Sequence, residues 1–228
     1  MSGSDAYSLR SAICAGAQAL HTAGLTPGRS GNVSARAGSG LLITPSGLSG
    51  AAMRPEDIVA IDAHGRVRTG EQRPSTELPL HRAIYAARRD AGAIVHTHSP
   101  GATALACARR AIPAFHYMIA VAGGHDIRCA DYATFGTDAL ADHALRALED
   151  RKAALLANHG VVAIGTELED AVRIAVEVEN LAHQYLLLLA AGLEPVLLDD
   201  AEMACIRVQF ADYGPARHSP QPPDREDP

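Results

Sequence analysis

Apolar residues recur along this chain with two different periods, and these periods predict its elements. From about Ala6 to Ala23 they are spaced for one face of a helix, and Gly24 follows as a helix stop. Short strand-like pieces separated by Gly, Pro and Ser come next, at 32–36, 41–44 and 58–62, with a turn at 63–66. This part of the chain is therefore predicted to be a meander of short strands.

Helices and strands alternate in the rest of the chain. Helices are predicted at 77–89, 100–110 and 138–149, and strands at 93–98, 115–120, 126–129 and 153–157. Thr166 and Glu169 have the spacing of a capping box at the start of the longest helix. Asp199 or Asp200 is predicted to cap a last helix that ends near Phe210. The pattern predicts an α/β fold with helices packed on a mixed sheet.

We find no internal repeat and no linker that would divide the chain, so a single domain is predicted over residues 1–213. Residues 214–228 are rich in proline and charge and are predicted to form a flexible tail. The whole chain has 228 residues, of which 47% are hydrophobic and 20% charged. That length and composition suffice for one substantial core.

Charge and cysteine usage exclude several function classes. The formal charge is −6 and the arginines are scattered, so no basic stripe is available for a nucleic-acid backbone. The four cysteines form no C-x-x-C pair, which is typical of a reducing compartment. No leader segment and no apolar run of membrane-spanning length is evident. We therefore expect a cytoplasmic protein with neither nucleic-acid nor membrane partners.

Lys152 is the only lysine and lies in a charged turn. A Schiff-base lysine needs a depressed pKa, which a solvated position does not provide. Iminium chemistry is therefore disfavoured, and a carbanion would need a metal Lewis acid. Dinucleotide and ATP binding also lack support, because no G-x-G-x-x-G or Walker A glycine pattern is present.

Three histidines indicate a metal site. His96 and His98 end one apolar strand-like run, and His159 follows another. Residues two apart on a strand point the same way, so His96 and His98 can reach one cation. Catalytic zinc typically takes three protein ligands and leaves a fourth position open. The alternative is chance, because the chain has eleven histidines and many histidines are partly buried without any catalytic role.

Three loops rich in small and hydroxyl residues are candidates for binding an anion. They contain Ser30, Gly31, Asn32, Ser46, Gly47, Ser75 and Thr76. Backbone N–H groups and hydroxyls in such loops can hold a phosphate, although the same residues are ordinary turn formers. Glu77 follows the third loop at the predicted start of a helix, where the helix dipole favours an ionised carboxylate.

The order of these motifs resembles the class II aldolase/adducin family. The motifs that carry the resemblance are Gly31-Asn32-Val33-Ser34, Ile43-Thr44-Pro45-Ser46-Gly47, Pro74-Ser75-Thr76-Glu77, His96-Thr97-His98, Ile112 to Ala120, Tyr132 to Thr137 and Asn158-His159-Gly160. The fuculose-1-phosphate aldolase branch is the most similar, and the resemblance covers roughly Ala6 to Tyr213. It implies a single-domain fold with a central, mixed but mainly antiparallel sheet flanked by helices.

The resemblance also implies roles for named residues. His96, His98 and His159 would hold one Zn²⁺ per subunit, or another divalent metal. Glu77 would be the acid/base and a possible fourth ligand. Tyr117, from a neighbouring subunit, would exchange a proton with the aldehyde oxygen. The hydroxyl and glycine residues of the three loops would bind the substrate phosphate, and the aldehyde pocket would be walled by Phe135, Phe210 and Tyr213.

The resemblance further implies a reaction and an assembly. It implies a homotetramer with active sites at subunit interfaces. The reaction is the reversible cleavage of a short or deoxy ketose 1-phosphate, a sugar phosphate, to dihydroxyacetone phosphate and a small aldehyde. Two departures from the family pattern stand near the site: Thr76, where serine is common, and Asn158, where the fuculose enzyme has histidine.

The sequence leaves several alternatives open. A pentulose-5-phosphate 4-epimerase of the same superfamily runs the same cleavage, but generally has aspartate at the position of Glu77. Related dehydratases and decarboxylases of sugar phosphates use similar metal ligands but lack the sequence motif around Tyr117. A non-catalytic adducin-like interaction module lacks the full metal set, and a dinuclear metallohydrolase needs D-H after H-x-H, where this chain has Ser99-Pro100.

Overall fold

A central sheet runs through the described residues, and helices cover both of its faces. The computed structural model of the protein describes residues 3–69 and 72–211. The strands are β1 (Asn32–Ala37), β2 (Gly40–Ile43), β3 (Val59–Ile61), β4 (Val67–Thr69), β5 (Ala93–Thr97), β6 (Cys129–Ala130), β7 (Ala153–Leu156) and β8 (Gly160–Gly165). The helices are α1 (Gly3–Thr22), α2 (Leu78–Ala87), α3 (Pro100–Cys107), α4 (Asp138–Ala147), α5 (Leu168–Ala190) and α6 (Asp200–Ala211).

The order of the strands places β5 in the middle of the sheet. The order is β4-β3-β2-β1-β5-β8-β7-β6. Only the pair β6 and β7 is parallel, and the other neighbouring pairs of these eight strands are antiparallel. The predicted fold class, a mixed and mainly antiparallel sheet flanked by helices, is confirmed. On β5, His96 lies opposite Asn32 of β1 and opposite Val162 of β8.

Two hydrophobic cores hold the helices on the sheet. Ala93 and Val95 of β5 belong to the core formed with α1, α3, α5 and α6, whereas Ile94 belongs to the core formed with α2 and α4. This alternation follows from the two-residue period of a strand. Each fully buried Ile or Leu contributes about 1.5 to 3 kcal/mol. Because β5 is buried on both faces, its position is fixed by both cores.

The predicted first helix is confirmed within a few residues. It ends at Thr22, and Gly24 follows with φ of +76°, a left-handed conformation that glycine adopts without a steric penalty. The Asp199 cap is also confirmed, because its carboxylate accepts a hydrogen bond of 2.8 Å from the backbone N–H of Glu202.

The predicted strand at 115–120 is wrong. Residues Tyr117–Ala122 form a 3-10 helix, and the His116 side chain caps it by accepting a hydrogen bond from the Met118 N–H at 3.2 Å. The apolar residues that favoured a strand are buried against α5 and α6 instead. Tertiary packing therefore overrides the local pattern at this point.

Four other details differ from the sequence prediction. The strand predicted at 126–129 is reduced to the two residues of β6, Cys129–Ala130. Strand β8 and the short strand β4 were not predicted, although the apolar run of β8 is fully buried. The capping box is wrong, because helix α5 begins after Glu167 without a side-chain cap. Instead, the backbone N–H of Thr166 donates to the carboxylate of Asp170 at 3.3 Å.

Lys152 lies where the sequence placed it, in a partly solvated position. Its side chain is 41% exposed and its Nζ is 3.8 Å from Asp170. Within the described residues, none of the helices combines the length and apolar character needed to span a membrane.

Candidate metal centre and substrate cavity

Three histidines meet at one end of the central strands. His96 is in β5, His98 directly follows β5, and His159 lies in the turn between β7 and β8. Their ring centroids are 4.8 to 4.9 Å apart in each of the three pairs. One ligand nitrogen from each histidine lies within 4.8 Å of the other two. The structure thus brings the three predicted ligands together, in an arrangement that can offer three nitrogens to one ion.

The turn that carries His159 is shaped by its two neighbours. Asn158 has φ of +54°, and its side-chain amide is held by hydrogen bonds at the end of α3. A Cβ atom on Gly160 would lie only 2.3 Å from the carbonyl oxygen of Thr97 and 2.9 Å from Cδ2 of His98. Because glycine lacks that atom, β8 can approach β5 closely enough for the three imidazoles to converge.

The carboxylate of Glu77 lies against the histidine cluster. Glu77 immediately precedes α2 and is 5% exposed. Its Oε2 is 2.8 Å from Nε2 of His96 and accepts a hydrogen bond of 3.1 Å from the side-chain amide of Asn32. Its Oε1 is 3.3 Å from Nε2 of His159. The backbone N–H of Glu77 donates to the hydroxyl of Ser75, which ties the carboxylate to the third loop.

Electrostatics set the protonation of this cluster. Burial opposes the charged form of Glu77, but the imidazoles of His96 and His159 outweigh it and hold the pKa of the carboxyl well below its ordinary value. Burial also opposes protonation of His96, and the Glu77 carboxylate outweighs that effect and raises the pKa of His96. Burial, followed by the charge of His96, lowers the pKa of His98 and of His159 to about 4. These two imidazoles are therefore neutral near pH 7, with lone pairs available.

A divalent cation fits this set of donors. Oε1 of Glu77 is buried and accepts no hydrogen bond, despite its 3.3 Å separation from His159. Buried polar atoms normally have partners, and a cation beside this oxygen would provide one. Nδ1 of His96 is 2.9 Å from the carbonyl oxygen of Val161, so with a proton on Nδ1 this ring presents Nε2 to the cluster. Three imidazoles and a carboxylate are the ligand types of catalytic zinc sites.

A cavity of about 340 Å³ opens beside the histidines. All seven predicted phosphate-binding residues line it, together with Glu77, His98 and His159. Gly31 and Gly47 have φ of +80° and +75°, conformations that favour glycine. A Cβ atom on Gly31 would lie 2.8 Å from the carbonyl oxygen of His96, so the first loop packs directly on β5.

Sequence reasoning assigned no binding role to three other residues that line this cavity. Arg29, Tyr132 and Asn158 contribute to its wall. Arg29 is exposed and precedes Ser30 in the first loop, so it adds a cation to a region that the sequence had described by its hydroxyls and glycines. The only indication of this in the sequence was the position of Arg29 next to Ser30.

The predicted aldehyde-pocket residues are divided between two places. Phe135 is 61% exposed and lines the cavity beside the histidines. Tyr117 and Phe210 instead line a second cavity of about 630 Å³, where their rings stack with centroids 6.3 Å apart. Tyr117 is 52% exposed. Tyr213 lies outside the described residues, as does the predicted tail.

Residues 11–186 match the model of the class II aldolase and adducin N-terminal domain family. The chain belongs to this class II aldolase family. It is 52% identical over 215 residues to a 5-methylthioribulose-1-phosphate/5-deoxyribulose-1-phosphate aldolase of Rhodospirillum rubrum, a match that covers 94% of this chain and 96% of the relative. It is 46% identical over 191 residues to the L-fuculose phosphate aldolase of Escherichia coli K12, covering 84% and 88%.

A solved structure of an L-fuculose 1-phosphate aldolase superposes with a TM-score of 0.87 at 42% identity, covering 92% of this chain and 98% of that one. The resemblance to the class II aldolases inferred from the motifs is therefore confirmed. The chain is a metal-dependent aldehyde-lyase of this family. Class II aldolases use a divalent metal, and the histidine cluster can bind one.

Proposed function

We propose that this class II aldolase is a zinc enzyme that reversibly cleaves a short or deoxy ketose 1-phosphate, such as a 5-deoxypentulose 1-phosphate, to dihydroxyacetone phosphate and a small aldehyde. The observation that carries the proposal is the cavity itself. It places the imidazoles of His98 and His159 and the carboxylate of Glu77 beside the three candidate phosphate loops. The names of relatives that act on 5-deoxyribulose or 5-methylthioribulose 1-phosphate support the substrate class.

The two ends of the substrate would be bound by different parts of the cavity. The loop N–H groups and the hydroxyls of Ser46, Ser75 and Thr76 would hold the phosphate, with the guanidinium of Arg29 adding charge. Zn²⁺ held by the three histidines would supply the Lewis acid that accepts electron density when the C3–C4 bond breaks.

Glu77 would move the proton at C3 of the sugar. In the condensation direction the ionised carboxylate removes the proton from C3. In the cleavage direction the carboxylate must first take up a proton, which it then returns to C3 after the C3–C4 bond breaks, while the C4 hydroxyl gives up a proton in the same turnover. Its ionised state suits the removal of the proton, and its burial and fixed partners hold the carboxylate in place. The side-chain amide of Asn32 donates to Oε2 of Glu77, and the Ser75 hydroxyl accepts from the backbone N–H of Glu77, so Oε1 is left for the cation or the reacting groups.

The proton on the C4 hydroxyl needs a second group, and we assign it to Tyr117 of a neighbouring subunit. In its own chain Tyr117 lines the second cavity, between His116 and Phe210, and its side chain is half exposed. A phenol placed this way is available to a second copy of the chain. This assignment requires a homo-oligomer, which we propose to be a homotetramer.

The aldehyde side of the cavity has mixed character. Phe135 and Ala133 add apolar surface, and Tyr132 and Asn158 add polar atoms. One methyl or thioether group changes binding in an apolar pocket by only about 1 to 3 kcal/mol. This wall would therefore accept several short aldehydes, with a preference for apolar ones.

The test combines a metal assay with a cleavage screen. Purified protein, loaded with zinc, is given the 1-phosphates of 5-deoxyribulose, 5-methylthioribulose, fuculose and rhamnulose, and dihydroxyacetone phosphate is measured. We expect Glu77→Gln to keep zinc and the oligomer but to lose cleavage by about 10²- to 10⁴-fold. The exposed Glu194→Gln is the matched control and should match the wild type.

Three outcomes would contradict the proposal. If none of the four sugar phosphates is cleaved, the proposed substrate class is wrong. If the protein remains fully active after complete chelation, the proposed metal requirement is wrong. Interconversion of pentulose 5-phosphates without release of an aldehyde would instead indicate a 4-epimerase.

A further inference from the structure

A chain of hydrogen bonds leads from Glu77 into the interior between β1 and α2. The amide Nδ2 of Asn32 donates to Oε2 of Glu77 at 3.1 Å, and the amide oxygen of Asn32 contacts Nε2 of His81. On the other side of the ring, Nδ1 of His81 is 2.6 Å from the hydroxyl oxygen of Ser34. That oxygen is 2.9 Å from the hydroxyl of Tyr85. All five side chains are buried.

The direction of each hydrogen bond follows from its neighbour. A carboxylate only accepts, so the NH₂ group of Asn32 must face Glu77 and its carbonyl oxygen must face His81. Nε2 of His81 must then carry the proton. Nδ1 is left as an acceptor, so the hydroxyl of Ser34 donates to it and the Ser34 oxygen accepts from Tyr85. Each proton in this chain is therefore directed toward Glu77.

The environment of His81 maintains that direction. Its side chain is completely buried, and burial lowers its pKa to about 3. Burial also raises the pKa of the Tyr85 hydroxyl, which remains a donor. A neutral imidazole with one proton is the only form that can donate to Asn32 and accept from Ser34 at the same time.

We propose that His81 is a positioning residue for the acid/base Glu77, and that it acts by holding the side-chain amide of Asn32 in one orientation through its Nε2–H tautomer. The inference rests on the proposed function, in which Glu77 moves the substrate proton. His81 lies one helical turn after Glu77 on α2, so the helix that presents the carboxylate also carries the group that fixes it.

Loss of this contact would act on Glu77 through the side chain of Asn32. With the other tautomer the Asn32 amide can turn over, and its carbonyl oxygen would then face the carboxylate oxygen at about the 3.1 Å now spanned by the hydrogen bond. Repulsion between these acceptors would displace Glu77. Asn32 also lines the cavity beside the loop at Gly31, so its backbone limits how far the amide can compensate.

Two substitutions at His81 separate positioning from packing. The amide nitrogen of glutamine reaches about where Nε2 lies, so His81→Gln keeps a donor for Asn32. Asparagine reaches only about where Nδ1 lies, so His81→Asn keeps the contact with Ser34 and loses the one with Asn32. We expect His81→Asn to lower kcat about 10- to 100-fold with KM and zinc content unchanged. His81→Gln should remain within about three-fold of the wild type, and the exposed His64→Asn serves as control.

A second measurement does not depend on catalysis. In protein with selectively ¹⁵N-labelled histidine, His81 should show a protonated Nε2 and an unprotonated Nδ1 at neutral pH, with or without zinc. The opposite tautomer would overturn the inference, as would equal kcat values for His81→Asn and His81→Gln. If neither variant folds, Ser34→Ala decides, because it removes the donor to Nδ1. A several-fold loss of kcat with zinc retained supports the inference, and an unchanged kcat overturns it.

These results are distinguishable from a failure of the proposed function. If the wild-type protein cleaves no ketose 1-phosphate, the proposed function is lost, and the NMR measurement still determines whether His81 has the required tautomer.

Discussion

Replacing His81 by glutamine should make the stability of this protein less sensitive to acid. His81 has a pKa of about 3 in the folded chain, against an ordinary value of 6.5, because burial opposes its charge. Above pH 6.5 both the folded and the unfolded chain leave it neutral, and it has no effect on the pH dependence. Between pH 6.5 and 3 the unfolded chain binds a proton that the folded chain does not. The free energy of unfolding therefore falls as the pH falls through this window.

The size of the effect follows from the two pKa values. One bound proton changes the free energy of unfolding by about 1.36 kcal/mol for each pH unit. From pH 7 to pH 4.5, protonation of this one side chain in the unfolded state therefore costs the folded protein about 2 to 3 kcal/mol. Glutamine does not titrate, so His81→Gln removes this contribution.

Urea unfolding of metal-free protein in the presence of a chelator measures the contribution of His81 to the pH dependence of stability. Wild type and His81→Gln are compared at pH 7, 5.5 and 4.5, at one protein concentration. The advantage of the wild type over the variant should decrease by about 2 to 3 kcal/mol across this range. His98 and His159 titrate in both proteins and cancel in the difference, whereas the charges of Glu77 and His96 act on His81 itself and contribute to the measured change. If the free energy of unfolding falls equally with pH in the wild type and in His81→Gln, His81 is not held neutral by burial and the reasoning is refuted.

Three further predictions follow from the site. Gly160→Ala should lower stability by about 1 to 3 kcal/mol and weaken zinc binding, because its Cβ would meet the Thr97 carbonyl oxygen at 2.3 Å. Gly192→Ala, where nothing lies within 4 Å, should leave zinc binding unchanged, and equal zinc affinities in the two variants would contradict this. Arg29→Ala should raise KM for the sugar phosphate several-fold at constant kcat, with Arg29→Lys in between, and an unchanged KM would remove Arg29 from substrate binding. Zinc binding near pH 6 should release up to about one proton per ion, because the raised pKa of His96 leaves a proton that the metal displaces. Calorimetry in two buffers of different ionisation enthalpy measures this, and a heat that is independent of the buffer would contradict it.

Local pattern was sufficient for several elements, although the apolar run of β8 was missed. The two-residue period of β5 predicted both the strand and the shared direction of His96 and His98, and the turn glycines marked the loops. The 3-10 helix at Tyr117–Ala122 could not be predicted in this way, because its apolar residues suit a strand equally well and packing against α5 and α6 decides between them.

Two features of the site required the three-dimensional structure. His81 is four residues from Glu77 on a helix, and that spacing alone suggests only a shared face. Its contact with Asn32, which is 49 residues away in sequence, arises because α2 lies beside β1 in the fold. The cavity placement of Arg29 likewise depends on how the loop before β1 folds beside the other two loops.

The pairing of Asn32 with His96 across β1 and β5 has a consequence for how this enzyme can change. In the proposed function, phosphate binding at Asn32 and metal binding at His96 would share one pair of facing residues, and sliding either strand by a single residue would separate the two groups by turning one of them to the opposite face. A change of strand register therefore cannot modify either binding site without disrupting the other. Under the proposed function, adaptation to a new aldehyde would be left to the surface around Tyr132 and Phe135, where side chains can be exchanged while the pairing of Asn32 with His96 remains in place.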